Sequence, residues 1–175
     1  MVARNLTVKY RRSALGVLWT LMVPLSQTLV YYFVFKYIFK ARTDFYVAYV
    51  MMGVLPWAFF SQSMVEATDS LLSNAFLISK IPLPLQSFPL ASWLTNLITL
   101  FAGLPIIFAI SWITGATLSA SIILIPMLIG MLTLSGYSMS LICSIQTVYL
   151  RDLRQVVGIF VQLLFYATPV IYDPT

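Results

Sequence analysis

Between Ile81 and Leu150 the sequence contains no Asp, Glu, Lys or Arg, a stretch of 70 residues. As one helix it would be ~105 Å long, at ~1.5 Å per residue. About 20 helical residues are enough to cross the ~30 Å hydrocarbon core of a bilayer. The stretch therefore predicts membrane spans that fold back at least once, and Thr114-Gly115-Ala116-Thr117 marks the break.

The overall composition also indicates a protein whose solvent is a bilayer. Hydrophobic residues make up 61% of the 175 residues and charged residues 9%, with a mean hydropathy of +0.94. A soluble domain is typically about 25% charged, and so few charges cannot cover a water-exposed surface. The net charge of +5 is divided into short patches between apolar runs, a pattern typical of membrane topology signals. We expect membrane lipid, and no nucleic acid, among the partners.

Residue types needed for several kinds of catalysis are missing from the sequence. It has no His and a single Cys, which excludes His-based metal sites, Ser–His–Asp triads and internal disulfides. None of its glycines belongs to a P-loop. We therefore expect no catalytic residue, no metal and no cofactor in this chain, and we expect any ATP and Mg²⁺ to be bound by a partner.

Charged residues divide the chain into five apolar stretches long enough to span a bilayer as helices. The predicted spans are residues 15–39, 45–65, 89–113, 121–149 and 155–171. Seven Lys and Arg residues fall on one side of this arrangement and three on the other. Because Lys and Arg accumulate on the cytoplasmic side, the N-terminus and segments 66–88 and 151–154 are predicted to face the cytoplasm. Segments 40–44 and 114–117 are predicted to face outward.

Segment 66–80 carries helix signals outside the predicted spans. Ser63-Met64-Val65-Glu66 matches a capping box, and Asp69 and Lys80 suit the first and last turns of a helix. An amphipathic stripe is formed by Leu71, Leu72, Ala75 and Phe76. Three interpretations stay open: a helix on the membrane surface, a docking helix for a cytoplasmic partner, or a continuation of the second span.

Polar residues recur at helical spacing within the predicted spans. Gln27 and Tyr31 share a face of the first span, and Gln162 and Tyr166 share a face of the fifth. Lipid would leave such amides unpaired, so both faces should contact protein or line a water-filled path. The clustered aromatic residues suit an interfacial belt or a stacking surface for sugar rings. The small-residue ladder Gly136, Ser140 and Ser144 favours close helix packing.

All five acidic residues are predicted to lie at span ends or in loops. Carriers that are coupled to protons or sodium ions generally need an ionisable site near the membrane midplane. The distribution therefore favours transport that is powered from outside the membrane domain.

Three segments resemble, in family order, the ABC type-2 permeases that export polysaccharides, O-antigen or teichoic acids. The basic stretch Tyr10-Arg11-Arg12 and the residues up to Trp19 are similar to the family's "YRRSxLGxLW" opening. Segment 73–82 resembles its cytoplasmic loop. Tyr149-Leu150-Arg151-Asp152-Leu153-Arg154 with Pro169-Val170-Ile171-Tyr172 is similar to its "YRDL…SPVIY" stretch.

The resemblance implies an all-α, multi-pass permease of the bacterial inner membrane, with amphipathic N-terminal and cytoplasmic coupling helices. It implies a homodimer, two cytoplasmic ABC ATPase subunits, a lipid-linked glycan as substrate, and six spans. We thus expect residues 1–175 to form one permease domain without the family's final span. An exporter of drugs or small lipophilic molecules and a non-transporting structural subunit are the alternatives.

The resemblance and the residue patterns together assign three sets of candidate residues. The predicted ATPase-coupling residues are Glu66, Asp69, Leu72, Asn74, Phe76, Lys80, Arg151, Asp152 and Arg154. The predicted gate-helix residues are Lys9, Tyr10, Arg11 and Arg12. The predicted substrate-path residues are Gln27, Tyr31, Gln162 and Tyr166.

Overall fold

The computed structural model describes residues 46–80, 82–113 and 123–168, together with eight single positions between Met22 and Tyr37. Within these residues all regular structure is helical, which confirms the all-α expectation. The five helices are α1 (Tyr46–Ser73), α2 (Ala75–Lys80), α3 (Ser87–Ile113), α4 (Ile125–Tyr149) and α5 (Leu153–Ala167). The gate-helix residues Lys9, Tyr10, Arg11 and Arg12, and the path residues Gln27 and Tyr31, lie outside the described residues.

Among the described residues, two helices are long and apolar enough to cross a membrane, and they match the predicted third and fourth spans. Their apolar windows are Ser87–Ala109 and Ile125–Tyr149. Helix α4 begins four residues later than predicted. Pro126 lies in its first turn, where backbone N–H groups have no partner within the helix, so a proline costs no hydrogen bond there. Only 17% of the α4 window is buried, so most of its apolar side chains are free to face lipid.

Helix α1 runs without interruption for 28 residues through the predicted boundary at Glu66. Of the three interpretations of segment 66–80, the structure therefore favours for residues 66–73 a continuation of the helix predicted as the second span. Ser63 cannot act as an N-cap, because it lies in mid-helix and is fully buried. The helix is interrupted at Asn74, whose side-chain amide donates a hydrogen bond to the carbonyl of Ser70 at 2.8 Å. Helix α2 adds six residues.

Helix α5 is shorter than its predicted span. It covers 15 residues, ~22 Å at ~1.5 Å per residue, which is less than the hydrocarbon thickness. It ends four residues before the predicted boundary, because Thr168 is extended with ψ of 142° and precedes a proline, which disfavours helical geometry in the preceding residue. In the described residues, α5 is therefore a partial span.

The core forms around α1, which contacts α3, α4 and α5. One cluster joins α1 to α3 and consists of Met51, Leu55, Phe59, Leu100 and Ile107. Helix α4 buries its small residues, Gly136, Ser140, Ser144 and Thr147, and exposes its large apolar ones. A Cβ added at Gly136 would lie 3.4 Å from the Phe60 ring. The ladder therefore packs helices together, as predicted.

Gly103 on α3 should be intolerant of a larger side chain. A Cβ there would lie 2.6 Å from a methyl group of Leu55, a buried side chain that would have to shift to make room. Gly103→Val should therefore lower the free energy of unfolding by about 1–3 kcal/mol, measured by thermal unfolding in detergent. Gly130→Ala is the control, because nothing lies within 4 Å of a Cβ there. Equal stability of the two variants would contradict this packing.

Candidate functional site

A cleft of about 460 Å³ lies between α1 and α5. Gln162 and Tyr166, which the sequence places on one face of the fifth span, both line it. The opposite wall is formed by residues of α1 that sequence reasoning did not select as path residues: Trp57, Ala58, Ser61, Gln62, Val65 and Glu66. The cleft thus combines amide, hydroxyl and carboxylate groups with aromatic rings.

Aromatic side chains form one part of the cleft wall. The ring centroid of Trp57 lies 5.7 Å from that of Phe165 and 5.8 Å from that of Phe60. Phe165 is buried at 9% exposure, whereas the adjacent Tyr166 is 62% exposed. The buried ring supports the wall, and the exposed ring offers its face to whatever enters the cleft.

Glu66 is half-buried and accepts hydrogen bonds from its own helix and from α3. Its Oε1 accepts a hydrogen bond from Gln62 Nε2 at 3.2 Å, and its Oε2 accepts one from Asn96 Nδ2 at 2.9 Å. Asn96 is 3% exposed and lies inside the apolar window of α3. The prediction that Glu66 lies at a span end is not tested by this contact, which shows only that its carboxylate bonds to a neighbouring helix. The i, i+4 spacing of Gln62 and Glu66 was the available sequence signal.

Two of the predicted ATPase-coupling residues pair with each other. Arg154 Nη1 donates to Asp69 Oδ1 at 3.0 Å, and this salt bridge joins α1 to α5. The contact also places the end of α1 and the start of α5 at the same end of the helices. Arg151 and Asp152 are exposed in the turn that precedes α5.

The remaining coupling candidates lie on or next to α2. Phe76 is 70% exposed, and the Lys80 ammonium lies 4.3 Å from the centroid of its ring. Leu72 is half-buried near the end of α1, and Asn74 forms the break between the two helices. Phe76 is thus a large apolar side chain that is exposed on the surface of α2.

Removing the amide of Asn96 should destabilise the contact between α1 and α3. Asn96→Leu leaves the Glu66 carboxylate without that donor, which should cost about 1–3 kcal/mol of unfolding free energy. The double variant Glu66→Leu, Asn96→Leu should cost less than the sum of the single changes, because the two groups interact directly. Thermal unfolding of the four proteins measures this, and strictly additive losses would contradict the pairing.

The described residues thus combine two long apolar helices, which are long enough to cross a membrane, with a polar, aromatic cleft between α1 and α5. The chain belongs to the ABC-2 type transporter family, which matches residues 1–175. It is therefore a membrane protein of a transporter family.

The chain is similar to O-antigen export permeases from two organisms. The O-antigen export system permease protein RfbA of Klebsiella pneumoniae is 29% identical over 170 residues, 97% of this chain and 66% of the relative. The protein of the same name from Myxococcus xanthus is 28% identical over 172 residues, 98% of this chain and 66% of the relative. The chain thus spans about two-thirds of the length of these relatives.

Proposed function

We propose that this chain is the membrane domain of an ABC exporter that moves a lipid-linked glycan outward across the bacterial inner membrane. Residues 1–175 form one permease domain, and the working permease is a homodimer. A separate cytoplasmic ATPase subunit binds ATP and Mg²⁺ and supplies the energy. The family assignment and the similarity to O-antigen export permeases support this proposal.

The observation that carries the proposal is the chemistry of the cleft between α1 and α5. Amides, a carboxylate and a phenol can exchange hydrogen bonds with sugar hydroxyls. The exposed ring of Tyr166 and the ring of Trp57 offer flat apolar surfaces for the C–H faces of sugar rings. Repeated weak contacts of this kind suit a long glycan that has to slide through.

A second cleft favours the alternative, an exporter of small lipophilic molecules. It measures about 440 Å³, lies between α3 and α4, and is lined almost entirely by apolar residues, Phe101, Phe108 and Ile129 among them. A lipophilic molecule would gain from burial there, whereas an oligosaccharide would lose hydrogen bonds to water.

Reconstitution in vesicles tests the proposal against this alternative. Full-length permease and its ATPase are placed in lipid vesicles, and the movement of a fluorescent lipid-linked oligosaccharide is followed with and without ATP. We expect ATP-dependent movement of the glycan-lipid. Movement of small lipophilic dyes but not of the glycan-lipid would favour the alternative instead.

The proposed topology predicts that Thr43 and Ser73 lie on opposite sides of the membrane. In a permease whose native cysteines are replaced, Cys143 included, single cysteines at these positions should react with a membrane-impermeant thiol reagent from opposite sides. Ser73 is exposed at the end of α1, so its reaction is not limited by burial. Reaction of both cysteines from the same side of sealed vesicles would contradict the arrangement with a cytoplasmic N-terminus.

A further inference from the structure

The salt bridge between Asp69 and Arg154 lies directly beyond one end of the cleft between α1 and α5. Asp69 follows the wall residue Glu66 by three positions, and Arg154 precedes the wall residue Gly158 by four. Residues at these spacings lie on the same side of a helix, one turn apart. Helix α1 ends at Ser73 and helix α5 begins at Leu153, so the cleft has little helical wall past this ion pair.

The two walls of the cleft are held by different contacts. The α1 wall is fixed to α3 by the hydrogen bond between Glu66 and Asn96 at 2.9 Å and by a large apolar cluster. The α5 wall contacts α1 through a smaller cluster around buried Met64, Val157 and Val161, through the rings of Trp57 and Phe165, and through the ion pair. Movement of α5 against a fixed α1 would therefore change the width of the cleft.

Breaking the ion pair should cost little free energy, because both side chains are accessible to water. Its Arg154 side chain is 58% exposed and its Asp69 side chain 28% exposed, with an Nη1–Oδ1 distance of 3.0 Å. Ion pairs in contact with water add little net stability, because water solvates both charges once the pair is broken. Such a contact can hold α5 against α1 and still allow α5 to move away.

We propose that Asp69 and Arg154 are positioning residues that latch α5 against α1 and close this end of the cleft. The inference rests on the proposed function, in which the glycan passes along the cleft and the latch has to open for its passage. It assigns the two residues to a contact within the permease, instead of to the ATPase surface where the sequence placed them.

Charge exchange in the full-length permease tests this latch. Native cysteines are replaced, Cys143 included, and one cysteine is introduced at Ser61 in the cleft wall. In detergent solution, Asp69→Arg should raise the rate at which this cysteine reacts with a bulky, water-soluble maleimide about two- to fivefold, the population change expected when such a contact is lost. Combining Asp69→Arg with Arg154→Asp should restore the rate of the parent protein. Asp69→Asn, which only removes a charge, serves if the Arg variant fails to fold.

The outcomes separate the latch from its alternatives. Equal labelling of the parent, single and exchanged proteins would overturn the latch, and so would an exchanged protein that labels as fast as the single variant. Loss of ATPase co-purification in the exchanged protein, with labelling unchanged throughout, would return both residues to the docking surface. If the parent moves no glycan-lipid in vesicles, the proposed function fails, whereas the labelling rates still decide whether the latch exists.

Discussion

Changing Phe76 to Ala should weaken the association of the permease with its ATPase subunit about 10- to 1000-fold, because a few buried aromatic anchors carry most of the energy of a protein interface. Phe76 is 70% exposed on α2, at the end of the molecule predicted to be cytoplasmic. Lys80 lies against its ring and would keep a cation at the edge of the contact. Co-purification of the ATPase with full-length permease, followed by a binding titration, measures the loss.

Trp112→Ala is the matched control for this change. Trp112 is an aromatic side chain with 84% exposure near the far end of α3, on the side of the membrane that the ATPase does not reach in the proposed topology. Its removal should leave the association unchanged. If Phe76→Ala also leaves it unchanged, α2 does not dock the ATPase, and its apolar stripe is better explained by contact with the membrane surface.

The double variant Gln162→Leu, Tyr166→Ala should slow glycan-lipid export about 5- to 100-fold, as the loss of one hydrogen-bonding amide and one stacking ring predicts. Both residues line the cleft on the α5 side. Tyr166 is 62% exposed, so its replacement leaves no cavity in the core and should not impair folding. The initial rate of ATP-dependent movement in reconstituted vesicles is the measurement, with ATPase association determined in parallel.

Phe160→Ala provides the comparison on the same helix. Phe160 is 51% exposed but does not line the cleft, so its loss removes an aromatic ring of similar size from a different face of α5. Export should continue at nearly the parental rate. Equal slowing by Phe160→Ala and by the cleft variant would show that this helix is needed only for packing, and export unaffected by either would remove Gln162 and Tyr166 from the path.

The sequence alone determined where this protein has long apolar helices. The lengths of apolar runs and the positions of Gly and Pro are local properties, so α3 begins within two residues of its predicted start and ends at the predicted residue. The same reasoning placed Gln162 and Tyr166 on one face, because helical periodicity relates residues four positions apart. It also predicted that the small-residue ladder of α4 packs against another helix.

Tertiary structure decided which polar groups meet and where two of the helices end. Ser63 and Glu66 have the spacing of a capping box, yet Ser63 is buried in the middle of a continuous α1. The bond from Asn96 to Glu66 joins residues 30 positions apart, and the ion pair of Asp69 with Arg154 joins residues 85 positions apart. No local pattern encodes such pairs, because they depend on how whole helices pack. The cleft between α1 and α5 exists for the same reason, since one wall comes from each helix.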